Sequence, residues 1–336
     1  MRGPRVTALA TVLAALVAAL GGCGGSSAGL VLYNGQHEQT TAAIVTAFER
    51  KTGIKVQVRS ADEATLGDQL IQEGTASPAD VFYTENTPVL EALARRALLR
   101  AAPPEALASV PSRYSSRQGL WVGVSGRIAA MVYNTSRLHA SQVPDRLVEL
   151  AAPRFKGMLG FAPTETDFQP LVTSLIHYEG VAAAERWLRG LQRNGTIYPD
   201  NETVTAQVNN GESALGPINH YYWFRLRASL GAGEMHSALR YFRPGDPGDL
   251  LDVSGAAVLR SAHHVQNAER FVRFLVSREG QEAIARSTSF EYPLRPGVPP
   301  SSQLTPLREL RPLGLTPAEL GTGAQALALE QKLGLL

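Results

Sequence analysis

The stretch NHYYWFRLR at residues 219–227 sets two phenols side by side, Tyr221 and Tyr222, behind a polar pair and ahead of Trp223 and Phe224. Neighbouring side chains of a strand point to opposite faces. In a helix they stand ~100° apart, so only a helix start or an irregular segment lets both hydroxyls approach one point. SALGPIN (213–219) reads as a strand, and the aromatic run that follows it opens a helix. In open α/β sheets ligands sit beyond the carboxyl ends of the strands. Two further residues occupy such positions: His37, after a first strand in YNGQHEQ, and Glu85, after a third in VFYTEN.

One imidazole, one carboxylate and two phenols make an unusual set. Free tyrosine has a pKa of ~10, so two tyrosinates near neutral pH need a strong local positive charge, which a bound cation supplies. Ferric iron, hard and trivalent, suits anionic oxygen ligands, whereas zinc and copper favour imidazole and thiolate, and magnesium and calcium sites lack phenolates. Two tyrosinates and one carboxylate balance a 3+ ion. Spacing alone leaves other readings open: the Tyr pair as an aromatic packing cluster with Trp223 and Phe224, His37 as a polar residue at a helix start, Glu85 as a solvated loop acid. HEQTT lacks the second histidine of a zinc-protease helix, and that chemistry is excluded.

The elements that must position these residues alternate. LVLYN from Leu30 is a short strand; Ile44, Ala47 and Phe48 mark a helix closing at Lys51 and Gly53; IKVQV is a half-buried strand; helices are expected over 63–74 and 87–98 with VFY between them. This β-α-β-α-β order predicts parallel strands with helical crossovers. LWVGVSGRIAAMVYN (120–134) and DVSGAAVL (252–259) are long β-rich stretches sharing a V-S-G core, read as paired crossings between two lobes. Helices are expected near 169–178 and 181–193, and one around 265–286 that returns to the N-terminal lobe. A proline-rich loop, VPPSSQLTPL (298–307), leads to a last helix.

The ends and the composition bound the rest. Residues 1–22 carry Arg2 and Arg5 before the apolar run TALATVLAALVAAL, the layout of a secretory signal, and the run ends in LGGC. Cys23, the chain's lone cysteine, is read as the acylated cysteine of a lipobox, with residues 23–29 as tether. The folded part is therefore left with no disulfide and no thiolate metal site. The formal charge of +2 vanishes with Arg2 and Arg5, and no basic stripe argues for nucleic acid. A hydrophobic fraction of 44% supports a sizeable core and a two-lobe α/β fold. An exported, tethered protein of that build looks like a solute-binding protein of an ABC importer. The lobes are expected at 30–125 plus 256–295 and at 126–255 plus 296–336, hinged by two crossing strands with the ligand site in the interlobe cleft.

YNGQH, GIKV, SPADVFYTE, PINHYYW, VSGAAVL and EYPL, in that order, resemble the blocks of the bacterial ferric-ion-binding proteins, the iron(III) branch of the periplasmic binding proteins. The resemblance runs from about residue 30 to the mid-290s. It implies that His37, Glu85, Tyr221 and Tyr222 are the protein ligands to Fe(III), the tyrosines from one lobe and the other two from its partner lobe, so that iron rewards hinge closure. Such proteins complete the coordination with a small anion, often phosphate, held at a turn of small residues. Here that turn is PTETD: Pro163, Thr164, Glu165, Thr166 and Asp167. A helix start favours an anion, but the two added carboxylates repel phosphate unless they point away. Carbonate, a water, or Glu165 or Asp167 itself is expected there, with Asn86, Asn201 and Asn219 around it.

The expected function is that of a lipid-anchored extracytoplasmic Fe(III) receptor, a monomer and not an enzyme. It would take free ferric ion or a ferric chelate and deliver iron to an inner-membrane ABC permease. A solute-binding protein for a polyamine, thiamine or another small organic ligand is the alternative, with Tyr221, Tyr222 and Trp223 as a cation platform. An exported hydrolase using Glu85, Asp167 and His37 is a third reading.

Overall fold

The computed structural model describes residues 29–336 apart from Gly314. The expected export signal, Cys23 and nearly all of the tether lie outside the described residues.

The N-terminal third forms the predicted alternation. Strand β1 (Leu30–Gly35) leads through His37 into α1 (Glu38–Thr52), which ends at Gly53 in the left-handed conformation. β2 (Val56–Ser60), α2 (Glu63–Glu73), β3 (Val81–Thr84) and α3 (Thr87–Arg95) follow. β1 pairs in parallel with both β2 and β3. Gly35 ends β1 against the first turn of α2, and a Cβ there would stand 2.6 Å from the Glu63 Cβ. Only glycine lets Glu63 pack that close to the strand end.

After the short helix α4 (Pro104–Leu107) comes β4 (Val122–Asn134), buried along its whole length. Next are β5 (Leu159–Phe161), α5 (Phe168–Glu179), α6 (Val181–Asn194), β6 (Gly195–Ile197), α7 (Asn201–Asn210), β7 (Leu215–Asn219), α8 (His220–Leu230), β8 (Ser237–Tyr241) and β9 (Leu251–Val258). The sheet runs β2-β1-β3-β9-β4-β7-β5-β6, with β8 also on β4. The two V-S-G stretches meet here: β4 and β9 pair antiparallel with a register shift between Gly123 and Gly126, and the Ser125 and Ser254 hydroxyls lie 2.6 Å apart. The first half of β4 thus pairs with β9 and its second half with β7 and β8.

The helix expected over 265–286 is two, α9 (Val265–Leu275) and α10 (Arg278–Arg286). The break falls at Ser277, whose hydroxyl accepts the Gly280 N–H at 3.1 Å and so caps a new start. Both pack on α1. β10 (Tyr292–Pro293) returns to β4. The tail holds two short helices, α11 (Leu307–Leu310) and α12 (Pro317–Leu320), before α13 (Ala324–Lys332). α12 touches both α3 and α5, and α13 lies on α5. Among the described residues no helix is long and apolar enough to cross a membrane.

Candidate metal centre

The Tyr221–Tyr222 pair occupies the first turn of α8, directly beyond the carboxyl end of β7. His220 pins that turn. Its Nδ1 accepts the Ile128 N–H at 3.1 Å, so the other nitrogen carries the proton and donates to the Phe290 carbonyl at 2.9 Å. Burial pushes this imidazole down to about 3, and it stays neutral. The Tyr221 and Tyr222 rings, 1% and 4% exposed, lie 4.1 Å apart at 33°, and neither hydroxyl turns to solvent. Both reach one carboxylate oxygen: Oδ2 of Asp167 accepts from Tyr221 at 3.1 Å and from Tyr222 at 3.2 Å.

Asp167 stands at the N-cap of α5 and is buried. The other members of its turn diverge. The exposed Thr164 donates to the Pro199 carbonyl, and the Glu165 carboxyl lies near the backbone N–H of Asn201 at the start of α7. Burial, then the Asp167 and Glu202 carboxylates, push Glu165 up to about 8. Thr166 accepts from Asn86 at 3.3 Å.

His37 and Glu85 approach from the other side. The Tyr221 hydroxyl donates to Glu85 Oε1 at 2.8 Å, and the His37 ring lies edge-on to Tyr221 with centroids 4.9 Å apart. Gln36 Oε1 accepts the His37 backbone N–H at 2.7 Å and faces His37 Nδ1 at 2.8 Å. An amide oxygen only accepts, so Nδ1 carries the proton and Nε2 keeps a free lone pair, the tautomer a metal ligand needs. Burial, then the Arg225 charge, lower this histidine to about 3. Burial and the Asp167 carboxylate raise Glu85 well above the ordinary range, and the same two causes raise both tyrosines well above theirs.

Beneath these groups lies Arg127, fully buried in β4. Its Nε is 3.7 Å from Glu85 Oε1, and its Nη2 is 3.7 Å from Asp167 Oδ1. Nη2 also donates to Asn86 Oδ1 at 2.6 Å. Asn86 in turn donates through Nδ2 to Glu63 at 2.9 Å and to Asp167 at 3.3 Å. Burial alone would lower the guanidinium; Glu85, Asp167, Glu291 and Asp252 outweigh it and hold it above its usual value. Among the described residues, Nε and Nη1 of Arg127 have no hydrogen-bond partner, nor does Asp252 Oδ1.

Of the predicted residues, the structure brings His37, Glu85, Tyr221, Tyr222 and Asp167 to one point, with Asn86 behind them. It does not bring Thr164 there, Asn201 reaches only Glu165, and Asn219 faces Asp252 at 3.4 Å instead. Sequence reasoning missed Arg127, Glu63, Asp252, Glu291 and the bridge His220 makes from the Ile128 N–H to the Phe290 carbonyl. A single charged residue inside a thirteen-residue buried strand was the available signal for Arg127.

Among the described residues no cluster of three or more His, Cys, Asp or Glu side chains could hold a metal by itself. Any metal here depends on the phenols. Six donors at ~2 Å from an octahedral ion stand about 2.8 Å from their neighbours, and the 2.8, 3.1 and 3.2 Å contacts among Tyr221, Tyr222, Glu85 and Asp167 lie close to that spacing. Protons occupy these contacts now. A hard cation that displaced them would find four anionic oxygens with little movement.

The chain resembles known proteins over most of its length. Residues 76–307 match the family model described as bacterial extracellular solute-binding protein. The chain is 38% identical over 282 residues to the Fe(3+)-binding periplasmic protein of Serratia marcescens, covering 84% of this chain and 83% of that one. It is 37% identical over 300 residues to a major ferric iron-binding protein of Neisseria meningitidis, covering 88% and 90%. Iron-bound HitA from Pseudomonas aeruginosa superposes with a TM-score of 0.87 at 43% identity, covering 91% of this chain and 99% of that one.

Proposed function

The chain belongs to the bacterial extracellular solute-binding protein family, and on that premise we propose that it is an extracytoplasmic ferric-iron-binding protein of iron uptake that holds Fe(III) through His37, Glu85, Tyr221, Tyr222 and Asp167. Its relatives are solute-binding proteins, not enzymes. The observation that carries the reading is the meeting of both phenolic hydroxyls on one Asp167 oxygen, beside Glu85.

The charges support ferric iron. Two tyrosinates and two carboxylates bring four negative charges to a 3+ ion, and the buried Arg127, 3.7 Å from both carboxylates, supplies the remaining positive charge. Asp167 occupies the place where a turn of small residues would hold phosphate, so the protein furnishes its own anion. A water or a small exogenous anion takes the sixth position. His37 contributes a neutral imidazole oriented by Gln36.

His37 and Glu85 follow β1 and β3, whereas Tyr221, Tyr222 and Asp167 come from α8 and the start of α5. We assign the lobes as 30–125 plus 256–295 and 126–255 plus 296–336, with β4 and β9 as the crossing strands. Iron then joins the two sides, and its binding energy closes the cleft. Release follows from protonation of the tyrosinates, reduction of the metal or opening of the lobes, because only deprotonated ligands bind. Delivery to an ABC permease and anchoring through an acylated Cys23 complete the proposal; a Cys23→Ser chain should leave the membrane fraction.

The test is metal retention. After loading with ferric citrate and desalting, the wild type should hold one iron per chain and Tyr221→Phe/Tyr222→Phe none. Equal retention by the two would reduce the paired tyrosines to packing.

A further inference from the structure

A second cavity lies beside the metal centre, with a volume of 340 Å³. On one side it is walled by α2 and α3, through Asp68, Ile71, Val89 and Ala92; on the other by the Pro163–Gln169 segment and by α13. Among the described residues no lysine, arginine or histidine lines it. Glu330 of α13 closes one wall and is only 1% exposed. It makes no side-chain hydrogen bond and no ion pair among the described residues, and its Oε1 is buried without a partner. Leu327, one turn earlier on the same helix face, stands at the mouth and is 39% exposed.

A buried carboxyl with no donor is costly to keep in a fold. Burial also pushes Glu330 up to about 8, so without a cation beside it the carboxyl stays protonated at neutral pH. The Asp68 carboxyl also lines the cavity. Aliphatic walls beside one donor-starved carboxyl suit a ligand with an apolar body and one cationic head. A bare divalent ion would lose most of its water and gain few oxygens there.

We propose that this cavity is a binding site for a small organic amine, whose ammonium pairs with the Glu330 carboxylate while its alkyl chain lies against Ile71, Val89 and Leu327. The site shares no proposed iron ligand. A molecule held there touches elements on both sides of the cleft.

The test is calorimetry on the iron-loaded protein with n-butylamine, n-butanol and magnesium chloride as probes. The amine should give a saturable heat in the wild type and bind at least tenfold more weakly to Glu330→Gln, whereas n-butanol gives none. Leu327→Trp fills the mouth from an exposed position, should abolish the amine heat, and keeps the test open if Glu330→Gln folds poorly. Both variants should retain iron as the wild type does. Equal amine binding by Glu330→Gln would place the amine on other acids and overturn the proposal. So would the absence of saturable amine heat in the wild type, or saturation by magnesium in the amine's place.

Discussion

The Tyr222 hydroxyl donates to Oδ2 of Asp167 at 3.2 Å, across from a helix start where a free anion would otherwise sit. Asp167 therefore joins two features that the sequence keeps 54 and 55 positions apart, the acidic turn and the two tyrosines. On the proposed reading, Asp167 stands in for a separately bound phosphate.

Asp167→Ala should weaken Fe(III) binding by more than the 10–100-fold usual for an outer-shell partner. The vacated helix N-terminus then favours a free anion, so iron binding by the variant should strengthen with added phosphate or carbonate. The wild type should bind iron equally well with and without them. Competitive titration against citrate, with and without phosphate, checks both halves. A wild type that requires added phosphate would remove Asp167 from the coordination.

Arg127 separates stability from affinity. It is the buried cation among Glu85, Asp167, Glu291 and Asp252, and removing one partner of a buried pair typically costs ~3–5 kcal/mol. Arg127→Leu should lower the melting temperature of the iron-free protein clearly. Iron should restore more stability to the variant than to the wild type, since Fe(III) takes over the missing positive charge and binding to the folded state stabilises it. An iron-induced shift no larger than that of the wild type would count against Arg127 as the centre's counter-charge.

The two kinds of ligand should differ in weight. Tyr221→Phe and Tyr222→Phe each remove an anion, whereas His37→Ala removes a neutral imidazole, which burial and Arg225 lower to about 3. Each Phe variant should lose far more iron affinity than His37→Ala. A larger loss from His37→Ala would reverse the account of how charge is distributed.

Protonation gives a signed prediction. Tyr221, Tyr222 and Glu85 all sit above their ordinary values, by burial first and then by the Asp167 carboxylate, so each must lose a proton to bind metal. Iron affinity should rise with pH and loading should release protons, while His37, already neutral, releases none. Stability of the iron-free protein runs the other way. Glu165, Asp252 and Glu330 stand at about 8 in the fold, raised chiefly by burial, against ~4 when unfolded. Groups raised in the fold stabilise it at low pH and lose that contribution as pH climbs toward their folded value. The melting temperature without iron should therefore fall from about pH 5 to pH 8, and the shift produced by iron should grow over the same range. Calorimetric scans with and without ferric citrate measure both trends.

Much of the architecture was legible because it rests on local signals. The αL glycine after α1 and the two V-S-G stretches each mark an element by their own residues; IKVQV marks a strand too, but β2 begins only at Val56 and is mostly exposed rather than half-buried, with Val58 39% exposed. The break at Ser277 was not, since apolar periodicity continues from Val265 through Ile284 and one hydroxyl decides the interruption. At the centre, His37, Glu85 and the tyrosines announced themselves by standing at strand ends. Arg127 did not, because its role comes from strands that bring Glu85, Asp167 and Asp252 around it from distant parts of the chain. The acidic turn was visible as a difference, but which of its two acids faces inward depended on α8, whose Tyr221 and Tyr222 hydroxyls both donate to Asp167.

The most direct measurement is the visible spectrum of the protein loaded with ferric citrate and desalted, beside Tyr221→Phe/Tyr222→Phe treated alike. Tyrosinate ligation predicts a red-brown phenolate-to-iron charge-transfer band in the wild type that is absent from the double variant. A colourless wild type that retains no iron would contradict the account and leave Tyr221 and Tyr222 as a stacked aromatic pair hydrogen-bonded to Asp167.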